Sequence, residues 1–154
     1  MSSRYPNIVR ILGVDVGKQR IGLAISDVSA TIARPLRTIQ ASSGLPERID
    51  ALVDAVTELE KEADGLGGIV VGLPRSLDGC AHTQTGRVQD FVDALRGRTR
   101  LPVSLQDERL TSREAESRLA LQEKDWRVRK KKLDAAAAAV ILQDHLDRKP
   151  RAMD

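Results

Sequence analysis

The spacing of apolar positions changes along the chain, and each change marks an element. Residues 8–16, IVRILGVDV, are a nearly continuous aliphatic run and read as a buried strand. Gly17–Lys18–Gln19–Arg20 reads as a turn, and IGLAISD, 21–27, as a second strand that closes a hairpin. TIARPLRTIQ, 31–40, predicts a third strand. Pro35 cannot donate to a ladder, so this strand is expected at an edge. From Pro46 to Ala63 the apolar residues fall at Ile49, Leu52, Val53, Val56 and Leu59, which is helical spacing. Gly65, Gly67 and Gly68 end that helix, and GIVVGLP, 68–74, is a short buried strand. A loop at Asp78–Gly79 leads to a helix near 84–96 with Val88, Val92 and Leu95 on one face. PVSLQD, 102–107, predicts a further strand. Thr111 with Glu114 three residues on forms a capping box that opens another helix. Lys130–Leu133 leads into a final alanine-rich helix, 134–147.

The order β-β-β-α-β-α-β-α-α predicts an α/β fold with a five-stranded mixed sheet flanked by helices. The right-handed crossover rule makes strands one, four and five parallel. Their C-terminal ends then share one sheet edge, where α/β proteins place their sites. The first strand is expected at the centre of the sheet. No internal repeat or linker interrupts the pattern, so 1–148 reads as a single domain and 149–154 as a flexible C-terminal tail.

Composition narrows the class. A chain of 154 residues fits one domain with a sizeable core. No apolar run approaches the roughly 20 residues of a membrane span, and the N-terminus has no signal-peptide pattern. Cys80 is the single cysteine, which excludes an internal disulfide and makes the cytoplasm the expected compartment. The net charge is only +3, so its distribution matters more than its size. Basic residues gather at Arg96, Arg98 and Arg100, and again at Arg127, Arg129, Lys130, Lys131 and Lys132. Such clusters suit a polyanion, although each could be a solvated surface. Tyr5, Phe91 and Trp126 are the only aromatics, too few to stack a single strand of bases, so backbone or duplex recognition is expected. Trp126 itself could wedge against bases or pack over a helix.

The candidate chemistry lies in four acids. Asp15 sits late in an otherwise apolar strand, where an isolated carboxylate is costly without a partner or a metal. It could also be a turn aspartate bonding its own backbone. Asp107 and Glu108 follow the last strand and belong to the same sheet edge by topology. Asp134 begins the final helix, where an N-cap or first-turn role is the alternative. Two carboxylates about 4 Å apart repel by roughly 4 kcal/mol at an effective dielectric near 20, so three or four converging acids imply a cation. Oxygen-only ligation favours Mg2+ or Mn2+, the ions of phosphodiester hydrolysis. Other chemistries lack residues. Cys80, His82 and His145 cannot make a structural zinc site, and both histidines read as incidental surface residues. There is no GxxxxGK[ST] loop, and Gly65, Gly67 and Gly68 precede a strand rather than follow one.

Four segments in order, DVGKQRIGLAISD (15–27), IVVGLPRSLDG (69–79), DERLTSREA (107–115) and KKKLDAAAAAVIL (130–142), resemble the YqgF-type family, also called RuvX, known as Holliday junction resolvases or pre-16S rRNA nucleases. The likeness runs from about Ile8 to His145. It implies a ribonuclease H-like fold and a metal-dependent nuclease. It also implies that Asp15 of D-x-G, Glu108 of D-E-R and Asp134 of D-A-x-A-A are catalytic metal ligands, with Asp107 as a helper. Lys18, Arg20 and Arg109 match its basic positions and join Arg127, Arg129 and Lys130–Lys132 as the expected nucleic-acid contacts.

The expected reaction is 5′-end maturation of precursor 16S rRNA, with ribosomal particles as partners. Junction resolution in branched DNA is the alternative, and a non-cutting regulator another. A junction has two strands to cut by symmetry, whereas this chain carries one acid set and no long exposed apolar stripe. A monomer or weak homodimer is therefore expected. An actin-like phosphate-loop kinase shares a D-x-G hairpin but needs two such domains around a nucleotide.

Overall fold

The computed structural model describes residues 9–17, 20–40, 44–74, 83–108 and 126–148. Strands β1 (Ile11–Val16), β2 (Arg20–Ser26) and β3 (Ala33–Gln40) precede helix α1 (Leu45–Lys61). Then come β4 (Gly68–Pro74), α2 (Thr83–Arg96), β5 (Val103–Glu108) and α3 (Trp126–Asp147). The five strands lie in the order β3-β2-β1-β4-β5. β1 is central, as its aliphatic run predicts, and β3 with Pro35 lies at an edge. β1 pairs antiparallel with β2 and parallel with β4, and β4 pairs parallel with β5. The helix expected after Thr111 lies outside the described residues, as do Cys80, His82 and the tail 149–154.

Strand alternation sorts the side chains into two layers. Leu12, Val14, Ile21, Leu23, Ile25, Ile69 and Val71 face one side, where Ile49, Leu52, Val56 and Leu59 of α1 and Val88, Phe91, Val92 and Leu95 of α2 complete a large aliphatic core. Ile11, Ala24 and Val70 face the other side, against Ala138, Ile141, Leu142 and Leu146 of α3. There the strands carry small residues. A Cβ on Gly13 would lie 2.7 Å from Leu142 Cβ and 3.0 Å from the Ala138 carbonyl oxygen. A Cβ on Gly22 would overlap the Asp134 carbonyl group outright. Glycine at both positions is what lets α3 lie almost on the strand backbone.

Two chain reversals are fixed by specific polar groups. Gly65 ends the loop after α1 in the left-handed region, at φ 64°, and its carbonyl accepts a 2.9 Å bond from Arg10 Nε. Arg10 also reaches Glu62 at 2.8 Å and the Leu59 carbonyl at 3.3 Å, closing the C-terminal end of α1 with a cation. Between β2 and β3, the Asp27 carboxylate accepts from the Ser29 hydroxyl at 2.6 Å and from the Thr31 and Ile32 amides at 2.8 and 3.0 Å. Gln143 of α3 locks this loop down, donating to the Thr31 carbonyl and accepting from the Ala33 amide, both at 2.9 Å.

Two expectations need correction. α3 begins at Trp126, not at 134. The segment 126–133 contains neither Gly nor Pro and is rich in Arg and Lys, good helix formers, so the helix continues through it. His145 is not a surface residue: it is 5% exposed, on the inner face of α3 between Ile141 and Leu146.

Candidate active site

β1 carries Asp15 near its C-terminal end, half-buried, on the face that meets α3. Its register partner across the hairpin is Gly22. Antiparallel partners stand about 4.5–5.5 Å apart at Cα, so whatever packs on Gly22 is a neighbour of Asp15. What packs there is the backbone of Asp134. Gly22 thus brings Asp15 and Asp134 into one neighbourhood although 119 positions separate them in sequence. Asp134 lies in the third turn of α3, so the helix-cap alternative is removed.

The local turn completes this arrangement. Gly17 N–H donates to the Arg20 carbonyl at 2.9 Å, and a Cβ at position 17 would lie 2.8 Å from that oxygen. Gly17 is needed for this close approach. The turn returns Arg20 to the α3 face, where its Nε donates to Asp134 Oδ2 at 2.6 Å. Both side chains of this ion pair are mostly buried, 19% and 26% exposed. Arg20, expected from sequence to contact nucleic acid, is therefore paired with an expected metal ligand.

Arg48 escaped the sequence reading. It lies in the first turn of α1, and its Nη2 donates to the Gly17 carbonyl, anchoring the turn that follows Asp15. Burial pulls its guanidinium below the usual arginine range. A cation in the first turn of a helix opposes the dipole, and that unfavourable placement was the available signal.

Asp107 and Glu108 are the last two residues of β5, in register with Leu73 and Pro74 of β4. They end the strand rather than follow it, at the same edge of the parallel strands as Asp15. Gln106 marks the α3 face of β5, because its Nε2 donates to Asp144 Oδ2 of α3 at 2.6 Å. Alternation puts position 108 in the row of Gln106, and position 107 in the row of Val103 and Leu105. The side chains of both acids lie outside the described residues, as do Lys18 and Arg109 entirely. Among the described residues no three His, Cys, Asp or Glu side chains gather into a metal-binding group.

The basic clusters separate. Arg127, Arg129 and Lys130–Lys132 occupy the first two turns of α3, their side chains outside the described residues, as is that of Trp126. α3 crosses Gly22 at Asp134 and Gly13 at Ala138 and Leu142, so it runs antiparallel to β1. The eight residues before Asp134 extend it by about 12 Å beyond the edge that carries Asp15. The cluster at Arg96, Arg98 and Arg100 lies at the opposite edge, before β5. There Arg96 donates to the Val103 carbonyl at 2.8 Å, while Arg98 pairs with Asp50 of the N-terminal half of α1 at 2.8 Å.

A mixed five-stranded sheet with a central acid-bearing strand and a helix returning a second acid to it is the ribonuclease H-like arrangement. The same fold occurs in Thermus thermophilus RuvC, solved alone and in complex with a Holliday junction substrate. The match to the complex has a TM-score of 0.52 at 17% identity, covering 92% of this chain and 98% of that one. The family model described as "RuvX: Holliday junction resolvase" matches residues 9–148, and the chain belongs to that family. It is 47% identical over 138 residues to a Chloroflexus aggregans protein, covering 89% of this chain and 92% of the other. It is 40% identical over 139 residues to an Orientia tsutsugamushi protein, covering 90% and 84%. Both relatives carry the name "Putative pre-16S rRNA nuclease".

Proposed function

We propose that this chain is a divalent-metal-dependent nuclease that hydrolyses phosphodiester bonds in structured nucleic acid, and that its reaction is 5′-end maturation of precursor 16S rRNA. The observation that carries the reading is the seating of Asp134 over Gly22, beside Asp15, at the C-terminal edge of the parallel strands. The names of the relatives agree with it.

Asp15, Glu108 and Asp134 are the metal ligands in this reading. Glu108 is preferred over Asp107 because position 108 shares the α3 face with Gln106. The donors are carboxylate oxygens, which fit Mg2+ or Mn2+. When bound, the ion polarises the phosphoryl group and lowers the pKa of water. Lys18, Arg109, Arg127, Arg129 and Lys130–Lys132 hold phosphates, and the basic end of α3 projects past the acids toward the substrate. Residues 1–148 act as one domain with 149–154 as a tail. The protein works in the cytoplasm on ribosomal particles, as a monomer or weak homodimer. Among the described residues no helix is long and apolar enough to cross a membrane.

Junction resolution is the second reading, favoured by the family description. Incubating the purified protein with Mg2+ or Mn2+ and precursor 16S rRNA, four-way junctions, single strands and duplexes separates the two. Metal-dependent trimming of precursor rRNA is expected. Stable dimers making paired symmetric nicks across a junction, with precursor rRNA intact, overturn the choice. Absence of cleavage of any substrate overturns the nuclease reading.

A further inference from the structure

The Arg20–Asp134 pair is the unexpected feature of this site. Arg20 reaches the α3 face because β2 alternates Arg20, Gly22, Ala24 and Ser26 toward α3, and glycine at 22 lets Asp134 descend to meet it. The contact is short, 2.6 Å, and largely screened from water. Of the two carboxylate oxygens, Oδ2 is the one held. An exposed pair of this kind would be worth little. A mostly buried one fixes the orientation of the carboxylate and neutralises it beside a second acid, Asp15.

We propose that Arg20 is a built-in counter-ion of Asp134 that competes with the divalent ion. The inference rests on the metal reading given above. In the metal-free protein the guanidinium supplies the positive charge that the Asp15–Asp134 neighbourhood requires, and it holds the Asp134 carboxylate in one orientation. A divalent ion arriving at the same carboxylate meets a like charge that must be shifted or tolerated. Arg20 therefore lowers metal affinity while it stabilises the empty site. Loading the ion loosens the guanidinium from Asp134, at the edge where the substrate phosphates lie. The basic position of the first turn is in this way coupled to occupancy of the acids.

The test measures Mn2+ binding by calorimetry and thermal stability with and without Mn2+, on the full chain without substrate. Arg20→Gln should melt below the wild type when metal-free and should gain more from Mn2+ than the wild type does. Its Kd for Mn2+ should tighten by at least about tenfold. That bound is the Coulomb repulsion of a unit and a divalent charge about 6 Å apart at the dielectric of water. Arg20→Lys, which keeps the charge but not the planar donor, should bind Mn2+ nearly as the wild type does, and the charge-removing Arg20→Met serves if Arg20→Gln does not fold. Asp15→Asn controls for the site. If Mn2+ binding depends on Asp15 but Arg20→Gln binds equally or more weakly, Arg20 only positions Asp134 and the counter-ion proposal is overturned. If Arg20→Gln is unfolded and Arg20→Met binds Mn2+ no tighter than the wild type, the proposal is likewise overturned. If the wild type binds no Mn2+, or Asp15→Asn binds it as well as the wild type, the metal reading itself has failed and this proposal with it.

Discussion

The two faces of the sheet solve different problems with different side chains. Toward α1 and α2 the strands present leucine, isoleucine and valine, and Phe91, the largest fully buried side chain among the described residues, fills the layer between. Toward α3 they present Ile11 and Val70 but also Gly13, Gly22, Ala24 and Ser26, with Asp15 and Arg20 at one end. Large side chains bury much apolar area but leave the backbone heights of the two layers adjustable through rotamers. Small ones bury less, yet they bring backbone against backbone, where nothing can adjust. The thick face holds the molecule together, and the thin face fixes where Asp134 sits relative to Asp15. Stability and geometry are thus assigned to opposite sides of one sheet.

The largest expected effect is on the acids of the thin face. Asp15→Asn should reduce metal-dependent cleavage of precursor 16S rRNA below detection and leave the melting temperature of the metal-free protein unchanged or higher. It removes a charge from an acid pair while keeping the shape. Glu108→Gln should behave alike. Near-normal cleavage by Asp15→Asn would remove it from the mechanism, and an unfolded Asp15→Asn would make the residue structural.

Breaking each face in turn sharpens the comparison. Phe91→Ala should cost about 3–5 kcal/mol of stability, the range for emptying a buried aromatic site. It should leave the turnover of the folded fraction near the wild-type value. Gly22→Ala should cost about 1–3 kcal/mol by overpacking. It should nevertheless lower turnover at least tenfold, because the new Cβ clashes with the Asp134 backbone itself. Denaturant melts and single-turnover cleavage measure both. A Gly22→Ala protein with normal turnover would show that the close approach does not set the site.

The two basic clusters offer a milder comparison. Neutralising Arg127, Arg129 and Lys130–Lys132 should flatten the salt dependence of precursor rRNA binding by about 0.7–0.9 in log–log slope for each phosphate that is no longer neutralised. Neutralising Arg96 and Arg98 should leave the slope alone, since both are engaged within the fold, Arg96 at the Val103 carbonyl and Arg98 at Asp50. The opposite result would move the substrate to that cluster.

How much of this was legible in sequence follows the same division. The thick face announced itself: the periods at Ile49–Leu59 and Val88–Leu95 and the aliphatic run at Ile11–Val14 placed both helices and the central strand. Pro35 placed the edge. The parallel order of β1, β4 and β5 followed from handedness, and with it the common edge of Asp15, Asp107 and Glu108. The thin face was harder. Glycine and alanine carry almost no hydrophobic period, so Gly22 read as part of an ordinary strand and α3 was begun eight residues late. The Arg20–Asp134 pair spans 114 positions, and nothing local distinguishes it from a surface arginine and a helix-capping aspartate. Arg48 was hidden for the same reason: its partner is a backbone carbonyl 31 positions away.

The smallest effect lies at the edge farthest from the acids. Asp27 sits in the β2–β3 loop, exposed to solvent, and its three hydrogen bonds lower its pKa from 3.8 to about 2, the Ser29 hydroxyl first and the Ile32 and Thr31 amides next. The folded pKa is depressed, so the stabilisation is present above the unfolded value near 4 and is lost as pH falls through about 2. Because the group is exposed, screening keeps the contribution small. Asp27→Asn retains a carbonyl oxygen for the two amides but loses the charge, and it should cost about 0.5 kcal/mol at pH 7 by the usual worth of a hydrogen bond. Melting temperatures of the two proteins should converge between pH 4 and pH 2, and cleavage should be unaffected, because Gln143, which takes the loop's hydrogen bonds to α3, lies in the C-terminal part of that helix. A difference that persists at pH 2 would mean that asparagine alters the shape of the loop. A loss of cleavage would mean that the position of α3 is set from its far end as well as by Gly22, and the division between the two faces would then need a third, longitudinal component.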